Sequence, residues 1–145
     1  MNVESLRGKF FLDTNILVYS FDNSAPEKQQ TSQQLIETAL SSQQGIISSQ
    51  VVQEFLNVAQ RKFVKPMSLA DARIYLETVL RPLCQHFPSL GFYEHALRLR
   101  EETGYTFYDS LILTAAIEAG CKIVISEDLQ NGRIIQGTTI LNPFV

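Results

Sequence analysis

The apolar positions of this 145-residue chain fall into two kinds of run. Short, nearly continuous runs at residues 9–12, 45–48, 122–126 and 138–141 predict strands buried on both faces. A weaker extended segment is expected at 85–88. Between them, spacing of three and four predicts helices over 16–21, 27–40, 50–64, 68–80, 92–103 and 109–119. Punctuation supports these bounds: Pro26 opens one helix, Ser68 and Asp71 form a capping box, and Gly104 and Gly120 end two others. In the helix over 50–64, Val51, Phe55 and Val58 supply the apolar stripe. Strands alternating with helices predict an α/β domain, a parallel sheet covered on both faces.

Composition narrows the class without naming a function. With 45% hydrophobic and 19% charged residues, the chain can bury a core without metal or disulfide, as one domain over 1–145. Two cysteines, Cys84 and Cys121, lie among apolar neighbours and read as reduced, buried thiols. Residues 1–7 are polar, and no run approaches the ~18 apolar residues of a membrane span. The expectation is a soluble, cytoplasmic protein. A net charge of −3 argues against nucleic-acid binding through a broad basic surface.

Ligands of parallel α/β sheets bind beyond the carboxyl ends of the strands, which makes acids at those positions informative. Asp13 directly follows the first strand, and Asp128 stands two residues beyond the third confident one. Glu54 borders the apolar stripe of its helix instead of its solvated side. Asp109 sits in the first turn of a helix apolar almost all round. Each also has a plain structural reading. Asp13 can cap the helix at Ile16, Asp128 can shape the turn before Asn131-Gly132, and Thr106 to Asp109 matches a capping box.

Other chemistries lack their residues. There is no GxxxxGK[ST] or GxGxxG loop and no GxSxG elbow. His86 and His95 stand nine apart without zinc-like partners, and His95 is expected on a helix face beside Arg98. A phosphatase using an Asp pair after the first strand would need an acid where Asn15 stands. A receiver domain would need a lysine near the last strands. Tyr105, Phe107 and Tyr108 form an aromatic cluster suited to core packing, a subunit interface or base stacking.

If the four acids converge, their repulsion calls for a divalent cation, and hard oxygen ligands favour Mg²⁺ or Mn²⁺. Such a site suits phosphodiester hydrolysis by a metal-activated water. The segments Phe11-Leu12-Asp13-Thr14-Asn15, Ile47 through Phe55, Tyr108-Asp109-Ser110-Leu111-Ile112 and Ser126-Glu127-Asp128-Leu129 resemble the motifs of PIN-domain ribonucleases. In order and spacing they are most similar to the VapC toxins of bacterial toxin–antitoxin pairs, over nearly the whole chain.

The resemblance implies a three-layer α/β/α sandwich with an acidic pocket at the strand ends. It also implies Mg²⁺- or Mn²⁺-dependent endoribonuclease activity, a small antitoxin partner and a homodimer. By position, Asp13, Glu54, Asp109 and Asp128 match the family acids, with Glu127 as the alternative to Asp128. Asn15 and Ser126 match polar positions that line the pocket and support the acids or hold water. Arg61, Lys62, Lys65 and Arg133 are candidates for RNA phosphates. The alternative function is a catalytically silent PIN-like scaffold that binds protein or RNA. Setting the four acids aside leaves 11 acidic residues against 12 basic ones, so the acidic surplus can lie in the pocket.

Overall fold

A computed structural model describes residues 3–145. Six strands form one sheet: β1 (Phe10–Leu12), β2 (Gly45–Ser48), β3 (Cys84–His86), β4 (Ile123–Ile125), β5 (Ile134–Ile135) and β6 (Thr138–Leu141). Their order is β3-β2-β1-β4-β6-β5. β1 is central, with Phe11 opposite Ile46 on one side and Val124 on the other. Both neighbours run parallel to it, and only β5 is antiparallel, folded back on β6. β1 and β2 are buried at every residue, which explains the unbroken apolar runs.

The helices are α1 (Thr14–Tyr19), α2 (Pro26–Ser42), α3 (Ser49–Arg61), α4 (Leu69–Tyr75), α5 (Arg81–Leu83), α6 (Leu90–Thr103) and α7 (Phe107–Glu118). α6 and α7 pack together, with α7 on β2 and β4; α1 and α2 pack together, with α2 against β2. The result is the expected three-layer α/β/α sandwich. α7 buries Ser110 through Ala116 without interruption, so its lack of amphipathic pattern marks a helix enclosed by the core.

Gly45 admits α2 at close range: a Cβ there would stand 2.1 Å from Cβ of Ala39. In α3 the buried stripe is Val51, Phe55 and Ala59, a step-of-four row in which Ala59 takes the place expected for Val58. Phe55 stacks on Tyr75 at 4.8 Å between ring centroids, and Phe21 and Phe63 complete the cluster. These rings tie α3 and α4 to the end of α1.

The structure also departs from the expected bounds. The helix expected to stop before Pro82 continues through it, from α4 by a π-helical stretch (Leu76–Leu80) into α5. Arg81 N–H donates to the Leu76 carbonyl in that wider register, and Pro82 enters in the first turn of α5, where a missing N–H costs little. α6 starts earlier than expected because Ser89 caps it, accepting from Phe92 N–H. β3 lies slightly earlier than the segment predicted at 85–88. Cys121 is buried as expected, but Cys84 is only half-buried; both are free thiols. No helix among the described residues is long and apolar enough to cross a membrane.

Candidate active site

β1 is the point where the strand order reverses, with β2 to one side and β4 to the other. Open α/β sheets leave a crevice there, beyond the carboxyl ends of the strands. Asp13 leaves β1 into this crevice and Ser126 leaves β4 beside it.

Asp13 has extended backbone as the N-cap of α1, and its Oδ1 accepts from Thr14 N–H at 2.7 Å. Its Oδ2 accepts from Ser126 Oγ at 2.7 Å. Asp13 is 7% exposed and Ser126 is fully buried. Burial pushes the Asp13 carboxyl up to about 6. The two hydrogen bonds pull it down, while the charges of Asp128 and Glu54 push it further up. The capping role read from the sequence is therefore real, and it coexists with a buried carboxylate that feels two other acids.

Glu54 projects from α3 toward the same crevice. Its Oε1 accepts from Thr14 Oγ1 at 3.1 Å and from Gln50 Nε2 at 3.2 Å. Thr14 and Gln50 are connections that sequence reasoning passed over. The only available signals were their positions, one residue after Asp13 and one helical turn before Glu54. Asp109 stands in the first turn of α7, where Thr106 Oγ1 accepts from Asp109 N–H at 3.2 Å. The Asp109 carboxylate itself accepts no hydrogen bond among the described residues.

The two acids after β4 separate along α1. Asn15 and Tyr19 lie four apart on that helix and so share a face. Asn15 Nδ2 donates to Asp128 Oδ2 at 2.8 Å, and Tyr19 OH donates to Glu127 Oε2 at 2.7 Å. Lys28 Nζ takes the other Glu127 oxygen and lies over the rings of Tyr19 and Phe144. Partial burial opposes ionisation of Glu127, but the bonds from Lys28 and Tyr19 outweigh it and lower its pKa. Asp128 moves the other way, raised by partial burial and by the charges of Asp109 and Glu127. Glu127 is thus occupied in an ion pair, and Asp128 is the acid that feels the other carboxylates.

None of Asp13, Glu54, Asp109 and Asp128 has a cationic partner among the described residues. As placed, no three His, Cys, Asp or Glu side chains among the described residues stand close enough to ligate one ion. The donor set is nonetheless all oxygen, anionic and mutually repelling, which matches a hard divalent cation and not zinc.

The remaining sequence candidates fall elsewhere. Arg133 is engaged, donating to Thr103 O and Gln130 Oε1 with its guanidinium over the Tyr105 ring. Arg61, Lys62 and Lys65 are exposed at and beyond the end of α3. His95 lies on α6 beside Arg98 as expected, and its ring also reaches across to other elements. Its Nδ1 meets Glu118 Oε2 at 3.2 Å, and its Nε2 meets Gln136 Oε1 at 3.3 Å. His86 Nε2 meets the other Glu118 oxygen at 2.9 Å.

The PIN domain family model matches residues 10–134. No curated protein matches the chain. Among solved structures, a toxin–antitoxin complex from Klebsiella pneumoniae contains a similar chain, 19% identical with a TM-score of 0.63, covering 93% of this chain and 98% of that one. A chain of the DNA-bound VapBC complex from Salmonella typhimurium is 22% identical, TM-score 0.61, covering 92% and 97%. VapC20 from Mycobacterium tuberculosis, described as a sarcin–ricin loop cleaving toxin, is 20% identical, TM-score 0.57, covering 83% and 92%. At these identities the likeness concerns the fold, which spans nearly the full length of each. The family match covers most of the chain, including all four acids, and the protein belongs to the PIN-domain family.

Proposed function

We propose that this chain is a divalent-metal-dependent endoribonuclease, the toxin of a toxin–antitoxin pair, acting as a single PIN unit over residues 1–145. The observation that carries the reading is Asp13: buried at the strand switch point, pushed up to about 6, and left without a cation beside Glu54 and Asp128. A fold that pairs Glu127 and Glu118 with cationic or protonatable groups has left this carboxylate without one. Membership of the PIN family and fold similarity to VapC toxins support the same reading.

Asp13, Asp109, Glu54 and Asp128 would hold Mg²⁺ or Mn²⁺. When bound, the cation supplies Lewis acidity toward the phosphate and the attacking water. The chain's own part is positional. Ser126 and Thr14 N–H fix both Asp13 oxygens, Thr14 and Gln50 fix Glu54, and Asn15 fixes Asp128. Exposed Arg61, Lys62 and Lys65 are the available contacts for RNA phosphates. A homodimer, a small cognate antitoxin and a cytoplasmic location complete the proposal.

Cleavage of RNA in Mg²⁺ tests it. Activity should be lost in excess EDTA and in Asp13→Asn or Asp109→Asn, with the fold retained and any growth arrest relieved. Full activity in either variant, or in EDTA, overturns it. The alternative is a catalytically silent PIN-like scaffold binding protein or RNA, against which the four intact acids argue. Calorimetric titration with Mn²⁺ separates the two: binding that disappears in Asp13→Asn supports the nuclease, and an absence of binding supports the scaffold.

A further inference from the structure

A second concavity lies beside the carboxylates, lined by none of them. Continuing along the carboxyl ends of the strands to β2 and β3, the chain forms a cleft of about 250 Å³. Its buried lining includes Phe92, Leu111 and His86, each under 10% exposed. Tyr93 and Tyr108 stand on it as exposed aromatic rings, and Gln50 and Gln53 bring two carboxamides. We propose that this cleft is a nucleobase subsite, taking one unpaired base of the RNA strand whose phosphate lies at the carboxylates.

Three features define the ligand. First, the cleft is joined to the proposed active site by a shared residue. Gln50 Nε2 donates to Glu54 Oε1 at 3.2 Å and to the Tyr108 carbonyl at 3.4 Å, and the residue after Tyr108 is Asp109. Whatever occupies the cleft is therefore next to the acids. Second, no Lys or Arg lines it, and His86 is held by Glu118, so the occupant is neutral and not a phosphate. Its size falls below the ~300–1,000 Å³ of a drug-sized site, the scale of one ring system.

Third, the surfaces suit a base. Tyr108 is 66% exposed and makes one ring contact, an edge-on meeting with Phe107 at 5.6 Å. An exposed aromatic face offers stacking to any base. The Gln53 carboxamide and the Gln50 carbonyl oxygen have no hydrogen-bond partner among the described residues. These groups can pair with the edge of an unstacked base, which is how single-stranded RNA is read. The role is substrate positioning and base preference at the cut.

This inference rests on the ribonuclease reading, and its test is built to fail separately. The chain contains no tryptophan, so Tyr108→Trp introduces a single indole on the cleft. In an Asp13→Asn background, short oligouridylate and oligoadenylate should quench its emission saturably and unequally. A matched abasic ribose-phosphate oligonucleotide should not. In the active enzyme, Tyr108→Ala should raise KM about 10-fold or more and lower kcat by less, as loss of one stacking contact predicts. Gln53→Ala should flatten the base preference at the cut.

Equal quenching by the abasic oligonucleotide overturns the inference. So does emission that changes with protein concentration and ignores RNA, which would mean that this face closes on a second copy of the chain. If Asp13→Asn abolishes cleavage while Tyr108→Ala and Gln53→Ala leave KM and cut-site preference unchanged, the subsite falls and the ribonuclease stands. If the wild type neither cleaves nor binds RNA, both fall.

Discussion

Asp13 and Glu118 are acids in opposite circumstances. Glu118 ends α7, the helix that carries Asp109 in its first turn, and both its oxygens are taken by His86 and His95. Burial opposes its ionisation, but the bonds and charges of the two histidines outweigh it and hold its pKa below the usual value. Asp13 is more deeply buried, has only neutral donors, and is pushed up to about 6. The fold can satisfy a carboxylate when the purpose is to join elements. At the strand switch point it leaves one under electrostatic tension. The contrast sets Asp13 apart from an acid that only joins two helices and a strand.

The sharpest break in this contrast is Asp13→Asn. Cleavage should fall by roughly 10³-fold or more, as expected when a group acting directly in the chemistry is lost. Stability at neutral pH should hold or rise, because a desolvated charge is removed. A urea melt beside a cleavage assay checks both halves.

Next in size is the pH dependence of stability without divalent cations. The folded pKa of Asp13 lies above its ordinary 3.8, so its stabilising contribution is complete below that value and is lost as pH rises through about 6. The shift corresponds to about 3 kcal/mol across that window. Glu118 has the reverse sign. Its contribution is present above the ordinary glutamate range and is lost as pH falls through its lowered pKa. Denaturation curves in EDTA from pH 3 to 7 should lose the first slope in Asp13→Asn and the second in Glu118→Gln.

Glu118→Ala should cost about 2 kcal/mol, because the buried His86 loses its partner. That lowers Tm by about 4–8 °C for a domain of this size, with the Mn²⁺ affinity of the folded protein unchanged. Mn²⁺ affinity lost in step with stability would contradict the division between the two regions. The smallest effect is expected for Lys28→Met. The Lys28–Glu127 pair is partly exposed and screened by solvent, so its loss should change stability little. The variant would leave Glu127 without its cation beside Asp128. Mn²⁺ affinity measured by calorimetry then reports whether an unpaired acid at this loop alters the pocket.

Much of this organisation was legible in the sequence because its signals are local. The apolar runs marked β1, β2, β4 and β6, and strand-end position singled out Asp13 and Asp128. What escaped was carried by contacts between distant segments or by elements too short to show a period. β5 has two residues. His86, His95 and Glu118 meet across 23 and 32 positions, and Glu54 meets Thr14 across 40. Glu127 and Asp128 look alike locally, and their surroundings are told apart only by Tyr19 and Asn15 on α1. In α3, Val58 and Ala59 fit the stripe almost equally well, and tertiary packing buried the smaller one.

The Asp13–Ser126 hydrogen bond joins residues 113 apart. At about 5–20 residues per second of synthesis, Ser126 is made roughly 6–23 s after Asp13. Until β4 has emerged and docked on β1, the nascent chain holds Asp13 but not the wall that fixes its second oxygen. Closure of so non-local a pairing is slow by nature. The Asp13 pocket therefore takes its folded form only after β4 has been made and has docked on β1.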